Sequence, residues 1–151
     1  MKNSTPILNA VFDRYLPHLN NAETKVLLIV FRQTSGWNDP TSVTGRKQRD
    51  WISHNQFEAK TGCSRRAIVY AVQSLIDLRL IEVIDRSGSL LDTSEKRMRK
   101  QRLYYRPASA SILSDNLVDI LMRKIKSRAK NTSDLCNKFT ALVQQMHYTK
   151  E

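Results

Sequence analysis

Glycine, cysteine and histidine are scarce in this chain, and each shortage closes off a class of chemistry. Four glycines among 151 residues leave no glycine-rich loop to cradle phosphates on backbone amides, so nothing in the sequence points to ATP use. The two cysteines, Cys63 and Cys136, lie far apart and suggest no disulfide framework. His18, His54 and His147 are scattered, and none stands at metal-ligand spacing. No metal and no cofactor is expected, and an enzyme reading has no residues to rest on. Long apolar runs are missing as well. The longest, residues 26–31, is far too short to span a bilayer. The opening residues 1–6 lack the charged start and apolar run of a signal peptide. The expectation is a non-enzymatic protein of the reducing cytoplasm, nucleoid-associated and with no membrane partner.

What the chain has in excess is positive charge. Lys and Arg number 25 against 14 Asp and Glu, a formal net charge of +11. Such an excess calls for a polyanion, and nucleic acid comes first, because each phosphate neutralised releases counterions. The competing reading is that the charge serves solubility alone. Hydrophobic residues at 40% and charged residues at 26% are globular proportions rather than disordered ones.

The periodicity predicts a mainly α fold with a small β-wing. Thr5 and Pro6 suit an N-cap and first helical position, and Ile7, Leu8, Val11, Phe12, Tyr15 and Leu16 then recur at helical spacing until Pro17. Asn20 with Glu23 reads as a capping box opening a helix to about Gln33, with Val26, Leu27, Val30 and Phe31 inward. Residues 34–50 form a loop, and Trp51-Ile52 a very short strand. Ser53 with Gln56 marks a second capping box, and Gly62 a left-handed stop. Ser64 caps a further helix to about Leu78, which buries Ala67, Ile68, Ala71, Val72, Leu75 and Leu78. Residues 80–85 alternate as a strand, 86–101 are polar, and 103–106 return as its partner. Two amphipathic helices are predicted over 114–129 and 133–147. Their stripes, Leu117, Leu121 and Ile125, then Leu135, Phe139, Leu142 and Met146, need cover.

Helix, short strand, helix, tight turn, helix, strand, loop, strand is the winged helix-turn-helix plan, here over residues 1–107 with a helical extension at 108–151. Its centre is the helix that Ser64 caps. A helix N-terminus favours phosphate through its free N–H groups and dipole, and an arginine one turn in can fork onto guanine. Ser64, Arg65 and Arg66 stand there, and Val69, Tyr70 and Gln73 fall off the apolar face within reach of bases or backbone. Two basic clusters accompany them: Lys96, Arg97, Arg99, Lys100 and Arg102 in the wing, and Arg46, Lys47 and Arg49 in the loop. A β-ribbon so charged can lie along a phosphate backbone or enter a minor groove. An ordinary helical hairpin with solvated arginines is the plainer alternative. Cys63 at the bend reads as a small turn residue.

The run from Thr5-Pro6-Ile7-Leu8 to Leu16-Pro17, then 21–28 and Thr34-Ser35-Gly36-Trp37, resembles the start of the bacteriophage replication protein O N-terminal-like winged-helix family. So do Gln56-Phe57, residues 61–67 and residues 75–81. The resemblance covers residues 5–84. It implies a domain that binds repeated double-stranded DNA sites at a replication origin, with replication proteins as further partners. Two alternatives stay open: a transcriptional regulator of a phage or mobile element, and a protein-interaction adaptor of the replication machinery. The C-terminal stripes either pack back on the N-terminal helix or form a homodimer seam flanked by Arg123, Lys124, Lys126, Arg128 and Lys130.

Overall fold

The computed structural model describes residues 4–108, all within one unit, Met1–Asp115. The helices expected over 114–129 and 133–147, and the seam they would form, lie outside the described residues.

Three capped helices behave as their sequences dictate. Helix α1 spans Asn21–Gln33, and its capping box is complete. Glu23 N–H donates to Asn20 Oδ1 at 2.8 Å, and Asn20 N–H donates to Glu23 Oε2 at 2.7 Å. Strand β1, Asp50–Trp51, precedes helix α2, His54–Thr61, which Ser53 and Gln56 cap reciprocally. Helix α3 covers Arg65–Asp77 behind the Ser64 cap. After it, β2 (Ile81–Ile84) and β3 (Tyr104–Pro107) pair antiparallel, and β1 adds to the other edge of β3, giving the order β1-β3-β2. The fold is thus helix-rich with a small three-stranded antiparallel sheet.

The core lies between the three helices and one face of the sheet. α1 contributes Val26, Leu27, Val30 and Phe31, and α3 contributes Ile68, Ala71, Val72 and Leu75, all buried. Phe57 of α2 meets Tyr105 of β3 edge-on, ring centroids 5.2 Å apart at 79°, a favoured aromatic geometry. A buried carboxylate spans two helices: Glu23 Oε1 accepts from Ser74 Oγ of α3 at 2.7 Å. α3 closes with Arg79 at φ 56°, and Leu80 N–H donates to Leu75 O at 2.9 Å. This is a Schellman-type ending made without glycine.

Three expectations need correction. First, the N-terminal helix does not start at Thr5. The chain winds as a π-type turn over Val11–Tyr15 and a tighter one over Leu16–His18. That winding buries Val11 and Tyr15 but leaves Leu8 and Phe12 exposed. Residues 5–8 run non-helical, with Thr5 close against Gly36. A methyl group on Gly36 would lie 2.5 Å from Arg32 O and 2.8 Å from Thr5 Oγ1. Second, the short strand is shifted by one residue, with Ile52 buried beyond its end. Third, the polar stretch 86–101 is not a plain loop. It carries a short helix α4, Ser94–Met98, whose cap Thr93 accepts from Lys96 N–H at 3.4 Å.

Two glycines separate backbone strain from steric exclusion. Gly62 ends α2 at φ 67° with open space where a side chain would go, so Gly62→Ala is expected to cost only the left-handed strain, about 1 kcal/mol. Gly36→Ala must push backbone atoms apart and is expected to cost more. Thermal melts of the two variants check the order, and a smaller loss at Gly36 would contradict this packing.

Candidate nucleic-acid interface

The turn between α2 and α3 is fixed by local hydrogen bonds. Gly62 N–H donates to Glu58 O at 2.9 Å in the left-handed conformation that stops α2. Cys63 N–H then donates to Thr61 Oγ1 at 3.1 Å, and Lys25 Nζ of α1 clasps Thr61 O at 2.9 Å. Ser64 takes Ala67 N–H at 3.4 Å and starts α3.

With its apolar stripe turned into the core, α3 presents the opposite face outward. Ser64, Arg65, Arg66, Val69 and Tyr70 are all exposed, Tyr70 at 62%. Residues 66, 69, 70 and 73 follow the spacing that puts side chains over one another on a helix. The Arg66 guanidinium lies 5.6 Å from the Tyr70 ring centroid and donates to its hydroxyl at 3.4 Å. Neither Arg65 nor Arg66 pairs with a carboxylate among the described residues. The first turn holds no acidic residue.

Gln73, expected to read bases, is placed otherwise. Its Nε2 donates to Asp77 Oδ1 at 2.8 Å and to Asp92 O at 3.2 Å, and its Oε1 accepts from Arg97. Arg97, expected as a solvated wing cation, is only 8% exposed. It also donates to Leu91 O at 3.0 Å and to Asp92 O at 3.1 Å. The physical reason is α4: its turn carries Arg97 under the 91–92 backbone, where a buried guanidinium needs several acceptors. Gln73 and Arg97 therefore pin α4 to α3. Beside them, burial pushes the Tyr105 phenol up to about 12, with Arg97 opposing.

Of the remaining cations, Arg99, Lys100 and Arg102 line one cleft, and Arg46 and Lys47 another. Lys47 pairs with Asp50 at 2.7 Å, Lys96 with Asp92 at 2.6 Å and Lys100 with Asp85 at 2.9 Å. Arg46 bridges to Asn38 and, with Lys47, lines a groove beside Phe31 and Pro107. Arg99 is exposed just after α4. Arg49 and Arg102 lie over rings, at 5.4 Å from Tyr104 and 5.1 Å from Trp51. Trp51, Tyr104 and Arg86 are absent from the sequence-predicted site. A signal for the aromatics exists in the alternation Arg49-x-Trp51 and Arg102-x-Tyr104, which puts each arginine on the same side as the ring two residues on. Among the described residues no group of three or more His, Cys, Asp or Glu is placed to hold a metal ion, and no helix is long and apolar enough to cross a membrane.

Two measurements follow. Removing the acceptor in Gln73→Ala leaves Arg97 under-satisfied, an expected loss of about 1–3 kcal/mol in stability, read by denaturant titration. An unchanged midpoint would mean that α4 is not pinned there. Burial, helped by the cations of Arg65 and Arg97 and opposed by Glu58, lowers the His54 pKa from 6.5. The unfolded chain then binds more protons than the folded one as pH falls below 6.5, so His54 withdraws stability on acidification. NMR titration is expected to place the His54 midpoint below that value, and His54→Gln to flatten this part of the acid dependence. A midpoint above the ordinary value would contradict the packing.

No protein-family model, curated protein or solved structure matches this chain.

Proposed function

We propose that this protein binds double-stranded DNA in a sequence-specific manner through α3, as a winged helix-turn-helix module of the phage or mobile-element replication-initiator type. The observation that carries the reading is the outward face of α3, where Arg65 and Arg66 stand free of described carboxylates beside Val69 and Tyr70. A major groove admits a single α-helix, and its edges offer guanine O6 and N7 to a forked arginine and thymine methyls to apolar side chains. Arg65 and Arg66 supply the first kind of contact. Val69 and the Tyr70 ring supply the second. The exposed Ser64 end of the helix receives a phosphate.

The order α1, β1, α2, turn, α3, β2, β3 follows the winged-helix plan, and the β1-β3-β2 sheet supports that assignment. The wing here carries a helix rather than a bare ribbon, so its phosphate contacts come from Lys96 and Arg99, which stay exposed. The replication role rests on the resemblance over residues 5–84.

Selection from randomised duplexes is expected to return a discrete site. Against it, Arg65→Ala or Arg66→Ala is expected to cost about 1–3 kcal/mol and to relax preference at one base pair. Lys96→Ala is expected to weaken all duplexes alike and to reduce the salt slope by about one. Unchanged affinity in both kinds of variant would overturn the assignment. Footprints within origin repeats support the initiator role, whereas footprints over a promoter would assign a regulator instead.

A further inference from the structure

The sheet has two faces with different chemistry. Along β3, Tyr105 turns inward onto Phe57, so its neighbour Tyr104 turns to the opposite side. Trp51 is the direct partner of Tyr104 across the β1–β3 ladder, and it is exposed at 41%. Continuing that register, Arg49 falls diagonal to Tyr104 and Arg102 diagonal to Trp51. Diagonal neighbours on one sheet face are within reach of long side chains, and both guanidinia do lie over the corresponding rings, at 5.4 Å and 5.1 Å. The result is a ladder, Arg49–Tyr104–Trp51–Arg102, on the side of the sheet away from the helical core.

A cleft of about 610 Å³ adjoins this ladder, lined by Asp85, Arg86, Ser87, Arg99, Lys100, Gln101 and Arg102. Its one carboxylate is already engaged: Asp85 accepts from Ser87 Oγ at 2.5 Å, Ser89 N–H at 3.0 Å and Lys100 Nζ at 2.9 Å. Arg86, Arg99 and Arg102 are left without a carboxylate among the described residues. Arg102 belongs to both features, so the cationic cleft and the aromatic ladder are continuous.

We propose that this outer sheet face is a platform for single-stranded nucleic acid, stacking bases on the Trp51–Tyr104 ladder and its guanidinia while the backbone phosphates run into the Arg86–Arg102 cleft. Rings interleaved with arginines suit unpaired bases, which stack on aromatic side chains and on guanidinium planes. A duplex hides those base faces, and an acidic peptide has none to offer. Because every base has a π-face, little sequence preference is expected. This surface shares Arg99 with the duplex phosphate contacts proposed above but includes none of the outward face of α3, so Trp51 and Arg102 variants test it apart from the duplex-reading proposal. Together the two faces would let one domain hold a duplex site and an adjacent unpaired strand.

Fluorescence tests it directly, since the chain has two tryptophans, Trp37 and Trp51. In the full chain carrying Trp37→Phe, Trp51 is the sole indole reporter. Titration with a twelve-residue oligo(dT) is expected to quench it, and a blunt duplex of the same length is not. Trp51→Ala, with binding followed by anisotropy of a labelled oligo(dT), is expected to weaken single-strand affinity at least about fivefold, the lower end for one stacked base. Trp51→Phe is expected to restore part of that affinity. Arg102→Ala, at an exposed position, gives a second loss that does not depend on how the indole packs. Arg65→Ala is expected to leave single-strand affinity unchanged while lowering duplex affinity. Absence of quenching, equal quenching by the duplex, or wild-type oligo(dT) affinity in both Trp51→Ala and Arg102→Ala would each overturn the proposal.

Discussion

The rotation of α3 about its own axis is fixed by one stripe, Ile68, Ala71, Val72 and Leu75, sealed in the core. The features of the outward surface follow from it. A turn of this helix by one residue would carry about 100° of its face with it, releasing Ile68 and bringing either Val69 and Gln73 or Ala67 and Tyr70 inward. The stripe makes that turn costly, since each large apolar side chain lost from a core destabilises it by about 2–5 kcal/mol. The Glu23–Ser74 hydrogen bond at 2.7 Å adds a polar register mark between α1 and α3. Buried groups of that kind are costly when left unpaired, so the mark penalises any other alignment.

The same logic, at period two, divides the sheet. β3 is its central strand, and alternate side chains of one short segment do opposite work. Tyr105 completes the helical core against Phe57, and Tyr104 joins the outer ladder. α4 fills the connection between β2 and β3 and is tied to α3 through Arg97 and Gln73. The β2–β3 connection is thereby coupled to the helix proposed to read DNA rather than hanging from it. The three surfaces, α3, α4 and the outer sheet face, are positioned by a small set of buried contacts.

Much of this was legible in the residue pattern, and the reasons differ from element to element. Both capping boxes and the Ser64 cap are local chemistry, set by residues three apart, and they stand where the sequence puts them. The buried stripes of α1 and α3 are single-period signals. What escaped the pattern depends on contacts distant in the chain. Arg97 looks like a solvated charge until α4 folds it beneath Leu91 and Asp92. Gln73 looks free until Arg97 arrives from 24 positions away. The N-terminal segment shows helical spacing, but its close approach to Gly36 and a π-type turn take precedence over it. The ladder needed the β1–β3 register before its two halves, Arg49 with Trp51 and Arg102 with Tyr104, could be joined.

The outward face of α3 is proposed to meet the edges of duplex DNA. The most direct measurement is an amide NMR map of the protein titrated with a selected duplex. The largest shifts are expected to cluster on residues 64–70, with weaker ones at Lys96 and Arg99. The amides of Trp51 and Tyr104 are expected to stay near their free positions. Shifts that spare 64–70 and gather elsewhere, or none at all with a duplex that demonstrably binds, would contradict it.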